Sequence, residues 1–145
     1  MLFNLDNLLD SNDLLHDLEA PFTRQEIDEV VADLPNNKSP GPDGFNNEFI
    51  KSSWPLIAPD FYNLFEAFFE GEICLRSINS SHITLIPKKD GPITPADYRP
   101  ISLLNTSLKL ITKVLANRLQ GPIKQVIHKN QYGFIKSRSI QDCLA

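Results

Sequence analysis

Residues 82–105 read HITLIPKKDGPITPADYRPISLLN. The apolar run Ile83–Pro87 meets a basic pair, Lys88-Lys89, and a stretch rich in Pro and Gly follows. Tyr98-Arg99-Pro100 then leads into a second apolar run. Short apolar runs bounded by turn formers read as strands, so this stretch predicts one antiparallel hairpin near 82–104 with a long exposed loop. Lys88 and Arg99 stand at the two roots of that loop, where both can be presented to one anion. An Arg fork suits phosphate oxygens, and Lys acts as a point charge. Pro100 stiffens the chain and keeps Arg99 out of helical geometry.

The flanks are helical. Thr23 and Glu26 form a capping box, with Phe22 and Ile27 placed as a hydrophobic staple. Ile27, Val30, Val31 and Leu34 then recur at helical spacing, and Pro35 ends the segment. Asn36–Gly44 is dense in turn formers. A short helix is expected over 46–53. Pro55 and Pro59 then interrupt the chain before a second helix, with Phe61, Leu64, Phe65, Phe68 and Phe69 on one face and Gly71 at its C-terminal end. Beyond the hairpin, a helix over about 106–120 is expected to bury Leu108, Ile111, Leu115 and Leu119. A brief helical stretch is expected over 123–127, and Ser139 with Asp142 reads as the cap of another helix. Three such helices and one pair of strands make the fold class α+β, helix-rich.

The 145 residues carry a net charge of −4, unevenly spread. Residues 82–145 hold ten Lys/Arg against three Asp/Glu, a net +7, and residues 1–35 are strongly acidic. A basic half in an acidic chain points to a polyanionic partner for that half. Residues 1–21 read as an acidic leader before a domain over 22–145. The leader lacks a basic n-region, which argues against a secretory signal. No apolar run approaches the roughly 20 residues of a membrane helix. These features predict an intracellular protein with no membrane partner. Two cysteines, Cys74 and Cys143, without CxxC spacing, argue against a zinc site or a disulfide framework.

Several chemistries are excluded. Lys38-Ser39 precedes the glycines of Gly41-Pro42-Asp43-Gly44, the reverse of a phosphate-binding P-loop, and the prolines remove two N–H donors. There is no GxSxG elbow. His16, His82 and His128 have no ligand spacing with one another or with the cysteines. Asp43, Asp90, Asp97 and Asp142 each fit a turn or a cap.

Three blocks then carry a resemblance: NKSPGPDGFNNEFIKSSW (Asn37–Trp54), ITLIPKKD with DYRPISLLNTSLKLITKVLANRL (Ile83–Leu119), and QYGFIKSRSIQD (Gln131–Asp142). In this order they resemble the reverse transcriptase of non-LTR (LINE-type) retrotransposons of the plant-like kind, from about Phe22 onward. The resemblance implies the fingers and palm entrance of a right-hand polymerase. Its partners would be an RNA template/primer and a deoxynucleotide. By resemblance, Lys88 and Arg99 match the pair that contacts the triphosphate. Lys38, Lys89, Gln131, Lys136 and Arg138 fall in segments that contact nucleic acid or shape the nucleotide pocket. The family usually has Gly before the arginine of the third block and Asn after its aspartate, where this chain has Ser137 and Cys143. The family's metal-holding carboxylates, an Asp after the third block and a later Ala-Asp-Asp turn, have no match in these 145 residues. The resemblance therefore implies no catalytic residue, metal ligand or cofactor here, Mg²⁺ only in the complete polymerase, and no polymerisation by the chain alone. The competing reading is a non-catalytic helical module that binds another protein through its Phe61–Phe69 and Leu108–Leu119 faces.

Overall fold

Thr23 opens the first helix as its sequence dictates. In the computed structural model, which describes residues 17–128, 131–133, 135, 136, 138 and 139, the Thr23 Oγ1 accepts the Glu26 N–H at 3.2 Å. The Glu26 carboxylate accepts the Thr23 N–H at 2.9 Å. The helix, α1, spans Arg24–Ala32 and buries Ile27, Val30 and Val31. Phe22, just before the cap, packs edge-on to Phe65 with ring centroids 5.2 Å apart.

α2 spans Asn47–Phe69 without a break, which corrects the expected interruption at Pro55 and Pro59. Each proline in a helix interior costs roughly 3 kcal/mol. Both, however, lie four residues apart on an exposed side of the helix. The carbonyls they leave unbonded can therefore turn to water. The other side buries Ile50, Ala58 and Phe65, and burying one large apolar side chain returns about 1.5–3 kcal/mol. Tertiary packing thus outweighs the local signal. Glu70 caps the helix, and Gly71 follows it with φ 73°. The Gly71 and Glu72 N–H groups bond the Phe68 and Ala67 carbonyls at 3.2 and 2.9 Å. This is the Schellman ending that a glycine at that position allows. α1 packs on α2. Asp28 ties the two helices by accepting the Trp54 Nε1–H at 2.8 Å and the Tyr62 hydroxyl at 2.6 Å. That bond to Asp28 raises the Tyr62 phenol above its ordinary value.

A single turn, α3 (Leu75–Ile78), precedes β1 (Ser81–Pro87), which pairs antiparallel with β2 (Tyr98–Leu104). The register sets Ile86 opposite Arg99 and Ser81 opposite Leu104. This is the expected hairpin, and among the described residues it is the only sheet. α4 spans Thr106–Leu119, and a short α5 covers Ile123–Val126. The buried positions of α4 are Thr106, Leu110, Ile111 and Val114, whereas Leu115 and Leu119 are exposed. The expected stripe therefore shares only Ile111 with the observed one. Leucine is abundant on several sides of this helix, so periodicity alone did not single out the buried face.

Contacts group Phe22–Thr112 into one unit, and the described residues before and after it into another. In that second unit the Arg118 guanidinium donates to the Ala20 and Pro21 carbonyls at 2.5 and 2.8 Å. The expected cap at Asp142, and Cys143, lie outside the described residues.

Candidate nucleotide and nucleic-acid site

The site begins at the root of the hairpin. Asn105 follows the last residue of β2, and its carbonyl accepts the Lys109 N–H at 3.1 Å, the first bond of α4. Its side chain reaches back across the hairpin. The Asn105 Nδ2 donates to the Ile78 carbonyl at 3.0 Å and to the Ser80 hydroxyl at 3.3 Å, on the segment entering β1. The Oδ1 accepts the Asp43 N–H at 3.0 Å. The Asp43 carboxylate in turn accepts the Thr106 N–H at 2.7 Å and the Phe45 N–H at 3.3 Å. The Thr106 hydroxyl donates to the Phe45 carbonyl at 2.8 Å.

A carboxylate at a helix N-terminus meets both an unpaired N–H and the positive end of the dipole. Here it is supplied from 63 residues away. Asn105 and Thr106 are 7% and 1% exposed, so the network is buried and each member is costly to leave unpaired. Gly41 completes the join. A Cβ there would stand 2.3 Å from the Leu104 carbonyl oxygen, so only glycine lets the loop lie against the end of β2. The loop, both strand roots and the start of α4 are thereby fastened together.

The far end of the hairpin is organised by Asp97. Its carboxylate accepts the Ile93 N–H at 3.0 Å, the Thr94 N–H at 2.9 Å and the Thr94 hydroxyl at 3.1 Å. It also pairs with the Lys89 ammonium at 2.7 Å. Lys89 above all, and then the Thr94 and Ile93 N–H groups, hold its carboxyl far below the usual carboxylate range. A 3₁₀ turn over Pro95–Asp97 closes the loop. The Lys88 N–H bonds the Asp97 carbonyl at 2.8 Å, extending the ladder one step beyond the strands.

Lys88, Lys89 and Arg99 thus share one end of one hairpin. The Lys88 ammonium donates to the Ala96 carbonyl at 2.8 Å. Arg99 is exposed, opposite Ile86, with no side-chain partner among the described residues. Lys38 is an exposed side chain on the loop of the same unit.

Gln131, Lys136 and Arg138 belong to the other unit. Gln131 and Lys136 are exposed. Arg138 is engaged with the protein itself: its guanidinium donates to the His128, Gln131, Lys124 and Ile127 carbonyls at 2.9, 2.8, 3.2 and 3.4 Å. It fastens the end of α5 to the segment after it.

The reading from sequence missed Gly41, Asn105 and Thr106, and treated Asp43 and Asp97 as ordinary turn residues. The one signal available was the clustering of small and amide residues where apolar runs meet. It does not name their partners.

Among the described residues no three His, Cys, Asp or Glu side chains come together as a metal site. Asp43 and Asp97 are committed to N–H donors, so these two carboxylates serve the backbone. No described helix is long and apolar enough to cross a membrane.

Residues 86–145 match the family described as reverse transcriptase (RNA-dependent DNA polymerase). The chain is 38% identical over 126 residues to the Transposon TX1 uncharacterized 149 kDa protein of Xenopus laevis, covering 86% of this chain and 10% of the relative. It is 32% identical over 123 residues to the probable RNA-directed DNA polymerase from transposon BS of Drosophila melanogaster, covering 82% and 14%. It is also 32% identical over 130 residues to the RNA-directed DNA polymerase from mobile element jockey of the same organism, covering 81% and 14%. The chain therefore spans between 10% and 14% of the length of these relatives. Matched along most of its own length by proteins of mobile elements, the chain belongs to the reverse-transcriptase family of non-LTR retrotransposons.

Proposed function

We propose that these residues form the nucleotide-gripping fingers and palm entrance of an RNA-directed DNA polymerase. In this reading Arg99 and Lys88 take the triphosphate of an incoming deoxynucleotide. The observation that carries the reading is Arg99, an exposed guanidinium without a partner among the described residues, two ladder positions from the Lys88–Asp97 pair. A guanidinium open to water there can offer its planar fork to phosphate oxygens without first leaving a protein partner. Lys88 needs only to leave a neutral carbonyl, a weaker partner than a phosphate oxygen.

Lys38, Gln131 and Lys136 are offered to the backbone of an RNA template/primer. Arg138 acts there by shaping the segment that carries Gln131 and Lys136. Lys89 is tied to Asp97 in the unliganded chain. The metal-dependent chemistry is assigned to carboxylates other than those described, because Asp43 and Asp97 already serve the backbone. The residues present bind and orient; they move no proton and form no bond.

The reading is tested by titrating the chain with a single-stranded RNA at two salt concentrations. Phosphate contacts release counterions, so affinity should fall steeply with salt. Lys38→Ala and Lys136→Ala should each flatten that slope by about one contact. A salt-independent affinity would overturn the electrostatic account.

A further inference from the structure

We propose that Lys89 is a third cation of the hairpin's triphosphate site, and that Asp97 is an internal anion holding it in place until the ligand arrives. The inference rests on the nucleotide reading above and sharpens it. Three observations carry it.

The first is the unequal exposure of the pair. The Lys89 side chain is 59% exposed and that of Asp97 15%, so the ammonium is free to swing while the carboxylate is held. The second is that Asp97 does not depend on Lys89. With the lysine gone it still accepts the Ile93 N–H, the Thr94 N–H and the Thr94 hydroxyl. The exchange therefore strands no polar group, and an exposed ion pair contributes little to the fold. The third is placement. Lys88 follows β1 and Arg99 stands opposite Ile86, which puts the two side chains within diagonal reach across the ladder. The Lys89 ammonium lies 2.7 Å from the carboxylate of Asp97, two residues before Arg99.

A triphosphate carries enough charge to draw the Lys89 ammonium from Asp97. A single phosphate, or one passing backbone phosphate, offers less. Asp97 thereby sets how much negative charge the site demands. It is a specificity-determining residue that need not touch the nucleotide.

The test is calorimetric titration of the chain with a deoxynucleoside triphosphate, without metal and at low ionic strength. It compares the wild type, Asp97→Asn, Lys89→Gln, the double variant and Arg99→Ala. Asp97→Asn keeps an acceptor for the loop but removes the charge, so the triphosphate should bind about threefold to tenfold more tightly. Loosening of the loop alone would weaken binding, the opposite sign. Lys89→Gln leaves every loop bond to Asp97 in place and should weaken binding about threefold. The double variant should lose the gain.

If Asp97→Asn binds no more tightly, or Lys89→Gln binds as the wild type does, while Arg99→Ala weakens binding, the inference is wrong and the nucleotide reading stands. If Arg99→Ala leaves binding unchanged, the nucleotide reading itself fails. Absence of binding in all five proteins overturns both.

Discussion

Every residue of β1 and most of β2 leave their side chains in water, including Ile83, Leu85, Ile86 and Ile101. The residues that root them, Asn105 and Thr106 with Asp43 and Gly41, form a join in which buried polar groups are bonded to one another. An isolated two-stranded hairpin is marginal in water. This one has no apolar core of its own among the described residues, so its direction is set where it leaves the body and not along its length. An element built this way can keep its faces in water while its base stays fixed.

The sharpest way to break that comparison is Gly41→Ala. With a Cβ 2.3 Å from the Leu104 carbonyl oxygen, backbone must move, and the cost should be about 3 kcal/mol, the upper part of the overpacking range. Urea denaturation of wild type and variant measures it. A loss well under 1 kcal/mol would mean the loop does not lie against β2. Asn105→Ala comes next. It leaves the Asp43 N–H and the Ile78 carbonyl without partners, at about 1–3 kcal/mol. The same denaturation should show that this loss and that of Asp43→Asn are not additive, because the two share one network. Leu85→Thr, on the hairpin proper, should stay within about 0.5 kcal/mol of wild type, as exposed substitutions do. A loss comparable to Asn105→Ala would show that something covers the strands.

The smallest effect concerns pH. The folded carboxyl of Asp97 is depressed, so its contribution is present above the ordinary carboxylate value of 3.8. It is lost only as pH falls through the lower folded value. The Asp97 carboxyl ¹³C resonance should therefore stay unchanged as pH is lowered to 3.8, where an ordinary aspartate is half protonated. A midpoint near 4 would show that Lys89 and the loop donors do not hold it.

The two regions also differ in how far the sequence discloses them. The hairpin's extent, the capping box at Thr23 and the ending at Gly71 are legible because their signals lie within a few residues of one another. The continuity of α2 was hidden because two prolines speak against a helix locally, while the burial of Ile50, Ala58 and Phe65 acts across the fold. The root was hidden more deeply. Asp43 and Asn105 meet across 62 positions, and a polar contact at that separation leaves no period to read. The cations were legible as residue types. That Arg138 would fasten four carbonyls while Arg99 has no side-chain partner among the described residues depends on where the chain folds back, which charge alone does not encode.

The central claim is that the hairpin's open end is the nucleotide site, and the most direct test is to watch it during titration. In a ¹⁵N-labelled chain, adding a deoxynucleoside triphosphate should shift the Arg99 Nε–H resonance and the backbone amides from Lys88 to Arg99. The Gly41–Thr106 root should stay largely unperturbed. Arg99→Ala should lower the affinity about tenfold to hundredfold, since a charged hydrogen-bond partner contributes roughly 1.5–3 kcal/mol. Shifts confined to residues outside the hairpin, or an Arg99→Ala chain that binds as tightly as the wild type, would contradict the account.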